Sequence, residues 1–347
     1  MLMRERSSRS SRALGILCFW GLAVLAGAAG LALALLAGAA TVEAADEGAM
    51  TTRRQPGILT GMPFMAHMAP RTFVDSRGKK VFLATTPARI VSLAPSLTEI
   101  LFAIGAGDRV VGVTDFCDYP PEARQRARVG YRNPSIETLV ALRPDLVVAP
   151  SEFVKPDLAA QLDHLKIPLM VLASENVEAI LSHIHTLGRM VNRGPAADAL
   201  ALTIRQRVAE IKARVEGRAP VRVLYVLNSQ PLITVGPGSF IDQLIGLAGG
   251  ANVASGSAEP YPRLSMEVVF QRDPEVLLFP VGQAEGIPDH EQQAWRRWTG
   301  MTAIKLGRLR QIPADLLNRP GPRIVEGLDH LATVLHPDLP AASPSAP

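Results

Sequence analysis

The hydrophobic positions of this 347-residue chain form two series that repeat the same order of elements. Each series opens with a run of apolar, often β-branched residues, RIVSLAP in the first half and VRVLYVLN in the second, which predicts a buried strand. An apolar helical stripe then starts at Ser96 or Ser239. The acid three residues after each Ser, Glu99 or Asp242, predicts a Ser-capped helix start.

A second unit follows in each series, and every residue of its second copy lies 130 positions after its partner. The pattern predicts a Ser cap, a helix with an acid in its first turn, a Pro-acid stop and a buried strand. The recurrence of both units in the same order predicts two similar lobes that face each other. The paired residues are Tyr131, Ser135, Glu137, Pro144 and Asp145, and Tyr261, Ser265, Glu267, Pro274 and Glu275.

Between the two series the pattern is helical from Val177 to Gly217, with one break at Arg193 to Pro195. Pro in the first turn and Gly at the stop delimit a second helix of about 22 residues. Strands and helices alternate in the rest of the chain, which implies parallel sheets covered on both faces. We therefore predict an α/β fold, with two lobes joined by one long backbone helix. Its apolar stripe is Leu200, Ile204, Val208, Ile211 and Val215.

The N-terminus has the pattern of an export signal. A basic, Ser-rich stretch precedes an apolar run from Ala13 to Ala40, and small residues follow. The run is long enough to span a bilayer, so an uncleaved inner-membrane anchor is the alternative. We expect a periplasmic protein. The later segment MPFMAHM has side chains suited to a soft metal, but its surroundings favour a plain tether.

These patterns divide the chain into six parts. We expect a signal peptide or signal anchor at 1–44, a tether and N-terminal hairpin at 45–87, an N-terminal α/β lobe at 88–193, the connecting helix at 194–218, a C-terminal α/β lobe at 219–337 and a disordered tail at 338–347. In the hairpin, the turn falls at Asp75 to Gly78.

Charge and motifs argue against several function classes. The net charge is +4, but much of the excess is at the N-terminus, and no basic stripe with interleaved aromatics follows. We therefore expect no nucleic-acid partner. Phosphate loops, zinc-protease motifs and dinucleotide fingerprints are absent from the sequence. His183 and His185 are two apart on a predicted helix and cannot chelate together. We expect no enzyme, no catalytic residue, no resident metal and no cofactor.

Binding fits the pattern better. Tyr131 and Tyr261 precede the two repeated units, on the side where α/β sheets bind ligands, and would line opposite walls of one cleft. Phe116 and Asp315, each just beyond a predicted strand, would share its rim. The simpler interpretation is that these are ordinary core or loop residues. Glu137 and Glu267 would each stabilise a helix dipole, or as a pair they would bind arginines of a symmetric partner.

Three segments resemble the periplasmic binding proteins of ABC importers for metal chelates, which bind vitamin B12, ferric siderophores or haem. They are RIVSLAPSLTEILFAIGAGDRVVGVTDFCDYPPEA, NPSIETLVALRPDLVVA and RPGPRIVEGLDHLATVLHP, and the match covers about Arg71 to Pro337. The resemblance implies two Rossmann-like lobes bridged by one long helix, with little domain closure. It also implies that Glu137 and Glu267 dock to arginine pockets on the importer's membrane subunits.

Within this family the chain is most similar to the vitamin B12 binders, which implies ligand contacts from Phe116, Tyr131, Tyr261 and Asp315. Tyr stands at both positions where those proteins carry Trp. Haem-binding relatives hold iron with Tyr, and siderophore binders favour Arg, as at Arg132, Arg263 and Arg319, all near the expected cleft.

The function expected from the sequence is therefore an extracytoplasmic, monomeric solute-binding protein that delivers a metal chelate to an ABC importer. Cobalamin or another corrinoid is the first choice, and a ferric siderophore or haem is the alternative. An envelope-anchored sensor or scaffold that binds no chelate is a candidate from another class. A metal-dependent hydrolase on a related scaffold would need a cluster of His and carboxylates in the cleft, which the sequence does not offer at recognisable spacing.

Overall fold

The computed structural model describes residues 70–131, 133–282 and 286–340. The expected signal or anchor, the tether up to residue 69 and the last seven residues of the tail lie outside the described residues. Within the described ranges, none of the helices has the length and apolar character needed to cross a membrane.

The strands and helices alternate along the chain. The strands are β1 Arg71–Val74, β2 Lys80–Leu83, β3 Ile90–Ser92, β4 Val110–Val113, β5 Ala127–Arg128, β6 Leu146–Pro150, β7 Leu169–Leu172, β8 Val221–Tyr225, β9 Asn228–Ser229, β10 Leu232–Ile233, β11 Gly250–Asn252, β12 Val276–Val281 and β13 Leu309–Pro313. The helices are α1 Pro95–Ala103, α2 Ile136–Ala141, α3 Pro156–His164, α4 Val177–Met190, α5 Gly194–Val215, α6 Phe240–Leu247, α7 Met266–Arg272, α8 Asp289–Ala294, α9 Thr302–Lys305, α10 Ala314–Leu317 and α11 Ile324–Leu335.

Two parallel sheets form the centres of the two lobes. The first has the strand order β5-β4-β3-β6-β7, and the second β11-β8-β12-β13. The hairpins β1-β2 and β9-β10 are antiparallel. The strands β3, β6 and β12 are buried almost throughout, as expected where helices cover both faces of a parallel sheet. With the 22-residue helix α5 between the sheets, the predicted fold class is confirmed.

One hydrophobic core runs through both lobes. It joins β3 and α1 of the first lobe to β8, α6 and α11 of the second through α4 and α5. Helices α4 and α5 pack closely because Gly188 faces Ala197, and a Cβ added at Gly188 would lie 2.3 Å from that of Ala197. Of the predicted stripe on α5, Leu200 and Val208 are only partly buried. The small side chains of Ala197 and Ala201 form the buried contact in the N-terminal half of α5 instead.

The Pro-acid stop of each repeat ties a helix end to the start of a central strand. The Asp145 carboxylate accepts hydrogen bonds from the backbone N–H groups of Ala88 and Arg89, at 2.8 and 2.9 Å. In the second lobe Glu275 accepts one from the N–H of Arg222, at 3.0 Å. The repeat seen in the sequence is therefore also a repeat of hydrogen bonding.

The Ser caps of the second unit are present in both lobes. Ser135 accepts a hydrogen bond from the N–H of Thr138 at 3.1 Å, and Ser265 accepts one from that of Val268 at 3.4 Å. Each satisfies a backbone donor that has no partner within the helix. The predicted starts of α2 and α7 are confirmed.

The expected cap at Ser96 is wrong, although its counterpart Ser239 caps α6 through the N–H of Asp242 at 3.2 Å. Helix α1 begins one residue earlier, at Pro95, and Ala94 is its N-cap residue. Proline is favoured in the first turn because its φ angle already suits a helix. Because Ser96 is not the cap, Glu99 does not take part in a capping interaction. It is buried against the other lobe instead.

The buried His183 on α4 should make stability depend on pH. The residue is only 5% exposed, and desolvation lowers the pKa of its imidazole from 6.5 to about 4. Between these values the unfolded chain binds a proton that the folded chain does not, so stability falls as pH drops. From about pH 7.5 to about pH 5, we expect the wild-type free energy of unfolding to fall by about 2 kcal/mol more than that of His183→Gln.

Urea unfolding at the two pH values measures this difference. His164, at the end of α3, is exposed and forms no ion pair among the described residues, so His164→Gln is the matched control and should keep the wild-type pH dependence. Equal pH dependence in wild type and His183→Gln would contradict the prediction.

Candidate functional site

Residues that follow the carboxyl ends of the strands in the two lobes lie close to one another. Asp118, in the segment after β4, accepts a hydrogen bond from Arg319, in the loop after α10, at 2.6 Å. Desolvation and the negative charge of Glu152, which follows β6, raise the pKa of Tyr261, which follows β11. Each pair joins residues of different lobes. This edge of parallel sheets is where α/β proteins bind ligands.

Three aromatic rings of the N-terminal lobe pack together beyond the strand ends. The Tyr131 ring lies between those of Phe116 and Phe153, with centroids 4.6 and 5.1 Å away and edge-to-face geometry. The structure thus brings the predicted residues Phe116 and Tyr131 together. Phe153 was missed, although it lies just beyond the strand β6, the same signal that singled out Phe116 after β4.

Tyr261 belongs to the C-terminal lobe and interacts electrostatically with Glu152 of the N-terminal lobe. It lies on an extended segment, residues 260–264, which is hydrogen-bonded to residues 232–236 through three backbone bonds of 2.8 to 3.1 Å. The residue is 58% exposed, so its ring is available to a ligand.

A cluster of charged side chains connects the two lobes. Arg323 donates two hydrogen bonds to the Glu99 carboxylate, at 2.8 and 3.0 Å, and one to Asp315 at 3.1 Å. The Glu99 and Arg323 side chains are only 2% and 13% exposed. Arg319 lies 3.8 Å from Glu99 in addition to its bond with Asp118. In this cluster every guanidinium is therefore matched by a carboxylate.

Burial and pairing with arginine shift the pKa of Glu99 in opposite directions. Desolvation raises the pKa of its carboxyl, and this outweighs the hydrogen bonds and charge of Arg323, which lower it. The Arg323 guanidinium also lies over the Tyr119 ring, 4.2 Å from its centroid. Nearby, a Cβ added at Gly321 would lie 3.3 Å from the Cα of Ser96. The two lobes are thus in direct contact at this cluster.

Asp315, predicted as a ligand contact, is a member of the cluster. Its side chain is 40% exposed, although Arg323 holds one of its oxygens. The carboxylate therefore combines a bond within the protein with access from solvent.

Glu137 and Glu267 occupy matching places on the outer surface. Each is the second residue of its helix, α2 or α7, and each is exposed. The backbone N–H of Glu137 and the Ser135 hydroxyl, at 2.9 Å, lower the pKa of the Glu137 carboxyl. Neither acid forms an ion pair with any residue that the structure describes. Both carboxylates are thus available to an external cation.

Cys117 is a further reactive side chain near Phe116. The Cys117 thiol is buried between Thr98 and Thr114, at 3.2 and 3.1 Å, and desolvation raises its pKa. Over residues 70–131, 133–282 and 286–340, no three His, Cys, Asp or Glu side chains lie close enough to hold a metal ion.

Two parallel-sheet lobes joined by one long helix, with aromatic rings beyond the strand ends, have the architecture of a two-lobed binding protein. The profile of a family described as periplasmic binding protein matches residues 90–316, and the chain belongs to that family. Members of this family are binding proteins rather than enzymes.

Similar proteins bind different chelates. The vitamin B12-binding protein of Vibrio cholerae serotype O1 is 30% identical over 249 residues, which are 71% of this chain and 88% of that protein. A crystal structure of the periplasmic vitamin B12-binding protein of Vibrio cholerae gives a TM-score of 0.64, covering 72% of this chain and 97% of that chain.

Two further relatives widen the comparison. A periplasmic haem-binding protein of Pseudomonas aeruginosa is 27% identical with a TM-score of 0.66, and the match covers 74% of this chain and 95% of that chain. An uncharacterized ABC transporter substrate-binding lipoprotein of Bacillus subtilis is 27% identical over 276 residues, 78% of this chain and 86% of that protein.

The Glu99–Arg323 pair generates a stability prediction. Arg323→Met should lower the free energy of unfolding by about 3 kcal/mol or more, because it leaves a buried carboxylate without its partner. The double variant Glu99→Met/Arg323→Met should lose less than the single one, since no buried carboxylate is left: Asp315 is 40% exposed and Arg319 keeps Asp118.

Urea unfolding near neutral pH measures these values. Arg205→Met is the matched control, because it breaks an exposed pair with Glu178, and should change stability by less than about 1 kcal/mol. A double variant that is less stable than Arg323→Met would show that the pair stabilises by something other than relief of a buried charge.

Proposed function

We propose that this protein captures a corrinoid, such as cobalamin, between its lobes and delivers it to an ABC importer. The observation that supports this most is the charge of the cleft. Between the lobes Arg319 and Arg323 are engaged by carboxylates, and aromatic rings pack beyond the strand ends. A corrinoid ring is broad and rimmed by neutral amides, so it suits aromatic walls and needs no cation there.

Haem is the less favoured chelate. Between the lobes its two carboxylates would meet Arg319 and Arg323, which are already paired with carboxylates. An anionic siderophore meets the same objection at Arg319, which is bonded to Asp118.

We assign the chelate contacts to Phe116, Tyr131, Tyr261 and Asp315, as the resemblance implies, and add Phe153. The working division remains an N-terminal lobe at 88–193 and a C-terminal lobe at 219–337. The protein is proposed to act as a monomer in the periplasm, either released by signal cleavage or tethered through residues 1–44.

The ligand assignment is tested by titrating cyanocobalamin, haemin and a ferric hydroxamate into protein recovered from the envelope of an expressing bacterium. We expect cyanocobalamin to bind. Tyr131→Ala and Tyr261→Ala should each weaken it about 10- to 100-fold, because each removes a large apolar contact. Calorimetry and absorbance measure the affinities.

Phe82→Ala is the matched control, because Phe82 is as exposed as Tyr261 but lies on the N-terminal hairpin, and it should bind like wild type. Binding of haemin alone, with a charge-transfer band lost in Tyr131→Phe or Tyr261→Phe, would contradict the corrinoid assignment. If none of the three chelates binds, the sensor or scaffold class is favoured.

The docking role of Glu137 and Glu267 is a separate proposal, supported by their matched and exposed positions. Glu→Ala at either site should leave chelate affinity unchanged but lower ATPase stimulation of the reconstituted importer. Glu→Lys should lower it further, because like charges facing arginine add repulsion.

Glu178→Lys is the control for charge reversal at an exposed helical position outside the pair, and should keep stimulation. Full transport by the Glu137→Lys/Glu267→Lys double variant would rule out docking through these acids.

A further inference from the structure

A second pocket lies in the C-terminal lobe. It has a volume of about 810 Å³ and opens between the β9-β10 hairpin, the segment before α7, and α8 with the turn that follows it. Its apolar lining includes Trp295, Trp298, Leu264 and Met266. Pockets of roughly 300–1,000 Å³ with aromatic walls and a few polar groups are typical small-molecule sites. None of the residues assigned to the cleft lines this pocket.

Two arginines line this pocket, and neither has a carboxylate partner among the described residues. They are Arg263 and Arg297, both exposed. The Arg297 guanidinium lies over the Trp298 ring, 4.8 Å from its centroid. Glu291 also lines the pocket but pairs with neither arginine. Unlike Arg319 and Arg323, these two arginines have guanidinium groups that are available to bind an anionic group.

The pocket adjoins the wall formed by Tyr261. The segment 260–264 is extended, and residues two apart on an extended strand project from the same face, about 7 Å apart. Tyr261 and Arg263 are exposed, whereas Pro262 between them is buried. A ligand that contacts the Tyr261 ring therefore needs to extend only about 7 Å further along the segment to reach Arg263.

We infer that this pocket is a subsite for an anionic, ring-bearing appendage of the bound chelate, such as the phosphate-linked base of a complete corrinoid. The inference rests on the function proposed above. Two guanidinium groups would hold the phosphate by charge-assisted hydrogen bonds, and the indole rings would pack against the base. The subsite would make the protein select complete corrinoids over those without the nucleotide.

The test compares cyanocobalamin with cyanocobinamide, which has the same ring but neither phosphate nor base. By calorimetry, we expect wild-type protein to bind cyanocobalamin at least about tenfold more tightly. Arg263→Gln and Arg297→Gln should each reduce this preference by about tenfold or to near unity. Arg296→Gln is the matched control. Arg296 is exposed and next to Arg297, but it is bonded to Gln293 at 2.6 Å and does not line the pocket.

A measurement on the wild type removes any dependence on how the variants fold. The preference for cyanocobalamin should shrink as salt rises, because exposed arginines are screened, whereas cyanocobinamide affinity should stay nearly constant. Equal affinity for the two corrinoids, or a preference that both arginine variants keep, overturns the subsite and leaves the proposed function intact. Failure of both corrinoids to bind overturns the proposed function and the subsite together.

Discussion

The bidentate pair between Glu99 and Arg323 is the interaction on which the relation of the lobes depends. It joins the first helix of one lobe to the start of the last helix of the other, with both side chains nearly buried. A buried charge without its partner is costly, so each residue keeps the other in place. Asp315 and Asp118 extend the pairing to the cleft, where the same carboxylates decide which arginines are available to a ligand.

That pairing separates two kinds of arginine around the ligand. Those between the lobes, Arg319 and Arg323, are engaged within the protein, and those of the side pocket, Arg263 and Arg297, are not. A chelate that is neutral over most of its surface and anionic at one end matches this division. A chelate with several anionic groups at its rim does not match it. Under the proposed function, the chain would distinguish similar macrocycles by where their charge lies.

The fold could be predicted from the sequence because its signals are local. Alternating apolar runs specify parallel strands and helices, and a Ser followed by a helical pattern fixed the starts of α2 and α7. The role of Glu99 could not be predicted in this way. Its spacing from Ser96 looks like a local cap, but its partner is 224 residues away. Phe153 was within reach, since it follows a buried strand, whereas the paired state of Asp315 depends on contacts that only the folded chain makes.

The matching hydrogen bonds of Asp145 and Glu275 show that the two halves have similar local structure. The hydrophobic core nevertheless extends across both halves, so neither half contains a complete core of its own. Separated, each half would expose to water the apolar face that now covers α4 and α5. We therefore expect the two halves to unfold together rather than as independent domains. Wide separation of the lobes would break the shared core, so exchange of the proposed ligand would need only small displacements of the lobes.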